Sequence, residues 1–274
     1  MEYRSRQARL VRSSDAHRYL WGDRESRHVI DWYYVSSDKI HFAVFSLGPG
    51  AYWKHSEKYK PVYGADESYY ILRGSLTIHN PVTGEVYVIE EGQTMALRKG
   101  TWHYGYNFGT TECRIACAFA PVPADLTAAD ELARLSPPLD TPMGGRYELL
   151  GHWPWHSQRE KRRTVVVQDP SQWLHFIEGR ETPVRVSLFV STENLTMGLF
   201  PLLPGVSTDP EVHPGDEFAY VASGTAAVFL PDTGEYFEMN SGDGSFTPQG
   251  IRHQYFNHSE QPATVIFGVA PTYR

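Results

Sequence analysis

Apolar residues fall in short runs separated by Gly, Pro, Asn and Asp along almost the whole chain. Short runs rich in β-branched and aromatic residues between turn-formers read as strands. In the first half this pattern predicts strands over 40–47, 67–79, 86–89, 94–97 and 113–119. In the second half it predicts 165–168, 184–190, 195–203, 217–222, 226–230, 236–239, 244–247, 253–256 and 264–269. Pro81-Val-Thr-Gly84 reads as a hairpin turn, its glycine supplying a positive φ. Residues 1–30 are charged and weakly periodic, and are expected to give an edge strand and a turn that pack across to the other half. One helix is predicted, over 124–135. Asp125 or Thr127 caps it, Leu126, Leu132 and Leu135 form a partial stripe, and Pro137-Pro138 stops it.

The strands are written twice. Residues 35–50 align with 190–205 at an offset of 155, and further on the offset becomes 150. Glu67, Gly74, Gly92, Gly100, His103 and Asn107 then match Glu217, Gly224, Gly242, Gly250, His253 and Asn257. The first copy therefore carries five extra residues between Gly50 and Glu67. A repeat covering nearly the whole chain means two similar units joined by a connector. Leu150-Gly-His-Trp-Pro-Trp-His156 lies in that connector, as an irregular segment whose Trp rings cover the second unit, or as a lid or subunit contact.

Composition agrees with an all-β chain: 274 residues, 14% aromatic, with 23 Gly and 19 Pro. A formal charge of −7 argues against a nucleic-acid partner. No apolar run reaches the ~18 residues of a membrane span. The basic start lacks an apolar stretch behind it, so no signal peptide and a cytoplasmic location are expected. Cys113 and Cys117 would lie about 13 Å apart on a strand, too far for a disulfide. They read as buried thiols.

The candidate chemistry is in the second copy. Glu211, His213 and Glu217 differ by even steps, so on an extended strand they share a face. His253 would join them from a second strand. Two carboxylates and two imidazoles make a mixed oxygen and nitrogen site for a divalent ion. If three of them hold the ion and Glu211 stays off it, Glu211 is placed to act as a general base.

These residues resemble the two motifs of the cupin superfamily. The second motif is met by Gly242, Pro248, Gly250, His253 and Asn257, and the first by Gly205, His213, Glu217 and Gly224. Glu211 stands where the family usually has its first His. The resemblance implies two tandem cupin barrels of jelly-roll form, a bicupin. Residues 1–123 would form the first barrel with a degenerate motif, 124–160 a short helical connector, and 161–274 the second barrel with the metal. Asn257 is expected to hold a turn. In the first copy Glu67 and His103 keep two motif positions, while Pro61, Tyr63 and Arg98 replace others. His55, from the insertion, is a possible third ligand of a weaker second site.

The ligand set Glu211, His213, Glu217 and His253 favours Mn²⁺ or Fe²⁺, with Zn²⁺ or Ni²⁺ behind. Three functions are open. The first is a non-heme Fe or Mn dioxygenase acting on a small polar organic molecule. The second is a non-redox decarboxylase, isomerase or hydrolase, similar in plan to ureidoglycine aminohydrolase. That family's motif has His where this chain has Glu217, and Gln where it has His253. The third is a binding protein without turnover. A homodimer is the expected assembly, because exposed sheet edges of such barrels are often paired.

Overall fold

The computed structural model describes residues 7–122 and 164–274. The helix expected over 124–135 and the Trp-rich segment 150–156 lie outside them. Among the described residues there is no α-helix, only a 3-10 turn at Pro170–Gln172. The rest is strand and loop, arranged as two antiparallel barrels.

The first barrel pairs a seven-stranded sheet with a four-stranded one. In the larger sheet the order is Val165–Gln168, Thr94–Leu97, Asp66–Arg73, Cys113–Ala120, His41–Leu47, Arg27–Ser36 and His17–Asp23. The second barrel repeats the plan with Arg9–Val11, Gly244–Thr247, Asp216–Ser223, Ala263–Ala270, Thr196–Leu202, Val184–Ser191 and Leu174–Glu178. Its smaller sheet has three strands: Glu235–Asn240, Thr225–Leu230 and Gln254–Phe256.

Each half lends a strand to the other. Arg9–Val11 crosses to pair with Gly244–Thr247, Arg9 opposite Phe246. Val165–Gln168, expected to open the second barrel, instead pairs with Thr94–Leu97 of the first, Val165 opposite Leu97. The sheets therefore do not follow the sequence limits 1–123 and 161–274. The exchange covers what would otherwise be an open edge on each large sheet. Asp243 anchors one crossing: it accepts from Arg12 Nη1 and from the Ser13 N–H, both at 2.9 Å.

The two large sheets pack against each other, and this explains runs that are apolar at every position. In His41–Leu47 all seven residues are buried. Phe42 and Val44 face the other barrel, while His41, Ala43 and Phe45 face their own cavity. Period-two alternation puts one set on each side. At the contact Phe42 stacks on Phe218, with ring centroids 3.9 Å apart and planes 12° from parallel.

The expected strand 67–79 is two strands, Asp66–Arg73 and Ser75–His79. Gly74 breaks it at φ 74°, and a Cβ there would lie 2.7 Å from the Glu112 carbonyl oxygen. Gly224 makes the same break in the second copy at φ 76°. Both cysteines are free and buried, and burial pushes the Cys113 thiol up to about 12.

Candidate metal centre

Glu217 sits near the start of Asp216–Ser223, inward-facing and buried. His253 precedes Gln254–Phe256. Glu211 and His213 are not on a regular strand. Glu211 makes only an isolated bridge to His253, with hydrogen bonds in both directions between their backbones, at 2.8 and 3.0 Å. That bridge is enough to preserve alternation: Val212 points out, and its neighbours point in.

His213, Glu217 and His253 each offer one ligand atom within 4.8 Å of the others. Glu217 Oε2 lies 2.8 Å from His253 Nε2 and 3.3 Å from His213 Nε2. This buried oxygen has no well-aligned hydrogen-bond donor. The other nitrogen of each ring is engaged by backbone. His213 Nδ1 donates to the Tyr273 carbonyl at 2.9 Å, and His253 Nδ1 to the Ile251 carbonyl at 3.0 Å. With Nδ1 as the donor, each neutral ring turns the Nε2 lone pair inward. Two ring nitrogens thus converge on the unpartnered Glu217 oxygen, a three-atom donor set that fits a divalent cation.

The electrostatics point the same way. Burial would raise the Glu217 carboxyl, but His253 and His213 outweigh it and hold it at about 2. Burial would lower His253, but Glu217 raises it to about 9. In the absence of an ion a proton balances the carboxylate, and metal binding to such a site displaces that proton.

Glu211, predicted as a fourth ligand, stands outside this group. Its Oε2 lies 3.5 Å from His213 Nε2, and its side chain is 24% exposed against 2% for Glu217. Burial and the Glu217 charge raise its carboxyl to about 7. Two further residues complete the centre. The Tyr255 hydroxyl donates to Glu217 Oε1 at 2.5 Å. The Tyr273 ring stacks on His213 at 4.7 Å, and its hydroxyl donates to Glu178 Oε2 at 3.0 Å. Tyr255 was legible as the residue two past His253 on the same face. Nothing in the sequence marks Tyr273.

The first barrel is built differently. Glu67 Oε2 and His103 Nε2 are 3.6 Å apart, and the Tyr69 hydroxyl lies at 2.9 Å from the first and 3.2 Å from the second. Burial raises Glu67 to about 8 and lowers His103 to about 4. His55 does not join them. Its ring stacks on Tyr104 and is hydrogen-bonded to that hydroxyl. Neighbouring residues on an extended segment face opposite ways, so a ring on Tyr104 is turned away from His103. Tyr63, in the place of His213, lines the cavity beside His103, ring centroids 6.0 Å apart.

Asn257 has the turn-holding role expected of it. Its Nδ2 donates to the Leu202 and Gln261 carbonyls at 3.0 and 2.8 Å, and Asn107 makes the equivalent bonds to Leu47 and Thr111.

Residues 198–269 match the cupin domain family. Polyketide synthase CurC of Streptomyces cyaneus is 33% identical over 76 residues, which is 27% of this chain and 48% of its own. The matched stretch thus spans about half the length of that relative. Among solved structures, protein Ylba of E. coli superposes with a TM-score of 0.65 at 14% identity, over 97% of this chain and 91% of its own. Bacillus subtilis oxalate decarboxylase, described with Mn(II) centres, does so with 0.59 at 16%, over 95% and 76%. At such identities the likeness shows the fold, in both halves of the chain. No helix among the described residues is long and apolar enough to cross a membrane.

Proposed function

We propose that this two-barrel cupin is a divalent-metal-dependent enzyme acting, in its second barrel, on a small carbonyl- or carboxylate-bearing molecule by proton transfer. Decarboxylation, isomerisation or hydrolysis are the reactions of that class. The observation that carries it is Glu211: a carboxyl at the mouth of the centre, beside His213 but outside the ligand set. His213, Glu217 and His253 would hold the ion, Mn²⁺ or Fe²⁺ by their mixed oxygen and nitrogen donors. Bound there, it would polarise a substrate oxygen. The chain's own groups supply the rest. Glu211 gives or takes the proton. Tyr255 fixes Glu217 by its hydrogen bond. Phe200 and Phe267 line the cavity wall.

The fold neighbour named as a decarboxylase is in keeping with this reading. A second reading, the dioxygenase expected from the motifs, is favoured by the set of two histidines and one carboxylate, which leaves positions open for oxygen and substrate.

Protein loaded with Mn²⁺ or with Zn²⁺, and offered α- and β-keto acids with and without oxygen, separates the two. Turnover under nitrogen, sustained by the redox-inert ion, supports proton transfer. Turnover that needs oxygen and a redox-active ion replaces it with the dioxygenase. In the first case Glu211→Gln should keep the ion and lose about 10²–10⁴ in rate.

A further inference from the structure

The first barrel holds a larger cavity than the second, ≈ 580 Å³ of space that includes open solvent at the mouth, against ≈ 370 Å³ on the same measure. It lacks a metal set among the described residues, yet it is not a plain apolar core. Trp21 Nε1 and His41 Nδ1 are buried there without a hydrogen-bond partner. Asp31, Tyr33 and Tyr63 also line it, and no described residue bonds to their carboxylate or hydroxyls. Asp31 and His41 are 8% and 2% exposed. Groups buried in this way normally have partners, so unpartnered ones in a shared cavity point to a ligand or water.

The lining narrows the ligand. No Lys or Arg faces the cavity, so an anion would be left without a partner charge. Burial raises Asp31 and lowers His41 to about 4, each toward its neutral form. An ammonium has only donors to offer and cannot satisfy the Trp21 N–H. A hydroxyl both donates and accepts. The walls between the polar groups are flat rings, including Phe45, Trp53 and Phe119, which favour stacking or edge contacts with another ring.

We propose that the first-barrel cavity is a second binding site, separate from the carboxylate–histidine centre, for a neutral aromatic molecule bearing hydroxyl groups. Trp21, Asp31, Tyr33, His41 and Tyr63 read the hydroxyls.

Calorimetric titration of the full chain tests this, with 2,7-dihydroxynaphthalene as the probe. The 2-naphthoate anion and the 2-naphthylmethylammonium cation serve as matched controls. One equivalent of the diol should bind, at least about tenfold tighter than either ion. His41→Phe and Tyr63→Phe should each weaken it about tenfold, and Ala43→Leu, which fills the cavity, should abolish it. His253→Ala, in the other barrel, should leave it unchanged. Circular dichroism and melting temperature establish that each variant is folded; if His41→Phe is not, the other two carry the test. No binding at about 1 mM, equal binding of an ion, or loss in His253→Ala with retention in His41→Phe would overturn the proposal. So would a rise in melting temperature in His41→Phe without probe binding to wild type, the mark of a cavity that holds only water.

Discussion

The Tyr255 hydroxyl donates a hydrogen bond to one oxygen of Glu217, at 2.5 Å, and the other oxygen is turned toward the two histidines. The carboxylate is thereby held with that oxygen within 3.3 Å of both imidazole Nε2 atoms.

Tyr255→Phe should keep the fold and weaken ion binding by about 10–100-fold, the usual effect of losing a partner that orients a metal ligand. Competition against a chromophoric chelator measures it. Unchanged affinity would mean that Glu217 is oriented by packing alone.

Ion binding should also stabilise the chain. At a free concentration of about 100 times Kd the gain is about 2.7 kcal/mol. Thermal melts with and without chelator should show it in wild type and not in His213→Ala.

The exchanged strand predicts a pH dependence. Burial alone would raise Asp243; the Ser13 and Asn240 N–H groups and Arg12 outweigh it and hold the carboxyl below its ordinary range. A depressed carboxyl contributes stability above its unfolded value, about 3.9, and loses it as pH falls toward the folded value. Asp243→Asn should therefore cost about 2 kcal/mol near pH 7, on the scale of a charged hydrogen bond. The gap to wild type should close below about pH 4. Urea midpoints across that range give the answer.

The contact between barrels rests on stacked rings. Phe218→Ala should cost about 3–5 kcal/mol. Combined with Phe42→Ala, it should show a coupling of about 0.5–1.5 kcal/mol, the usual worth of an aromatic pair beyond its buried area. Strict additivity in urea denaturation would mean that the two rings do not act together.

The duplication, the all-β class and the convergence of His213, Glu217 and His253 were legible because strand parity and spacing survive in one dimension. His213 and Glu217 share a face even though Gly215 separates the loop from the strand, and the Glu211–His253 bridge keeps the alternation. What was not legible depends on neighbours far apart in sequence. Val165–Gln168 reads as an ordinary buried strand, and nothing in its residues says that its partner is Thr94–Leu97. His55 has the chemistry of a ligand, but which side of its segment faces His103 is decided by Tyr104, on which it stacks. The hairpin of His17–Asp23 with Arg27–Ser36 was hidden by its exposed charged positions, which carry no apolar period. Nor does the sequence say that the Tyr69 hydroxyl comes within 2.9 Å of Glu67 Oε2 and 3.2 Å of His103 Nε2.

Elemental analysis of the purified protein bears most directly on the centre. Wild type, His103→Ala and Glu211→Gln should each carry one divalent ion per chain, and His213→Ala should carry none. An ion that survives His213→Ala but is lost from His103→Ala, or a wild type without any ion after growth and purification in metal-supplemented medium, would contradict the account.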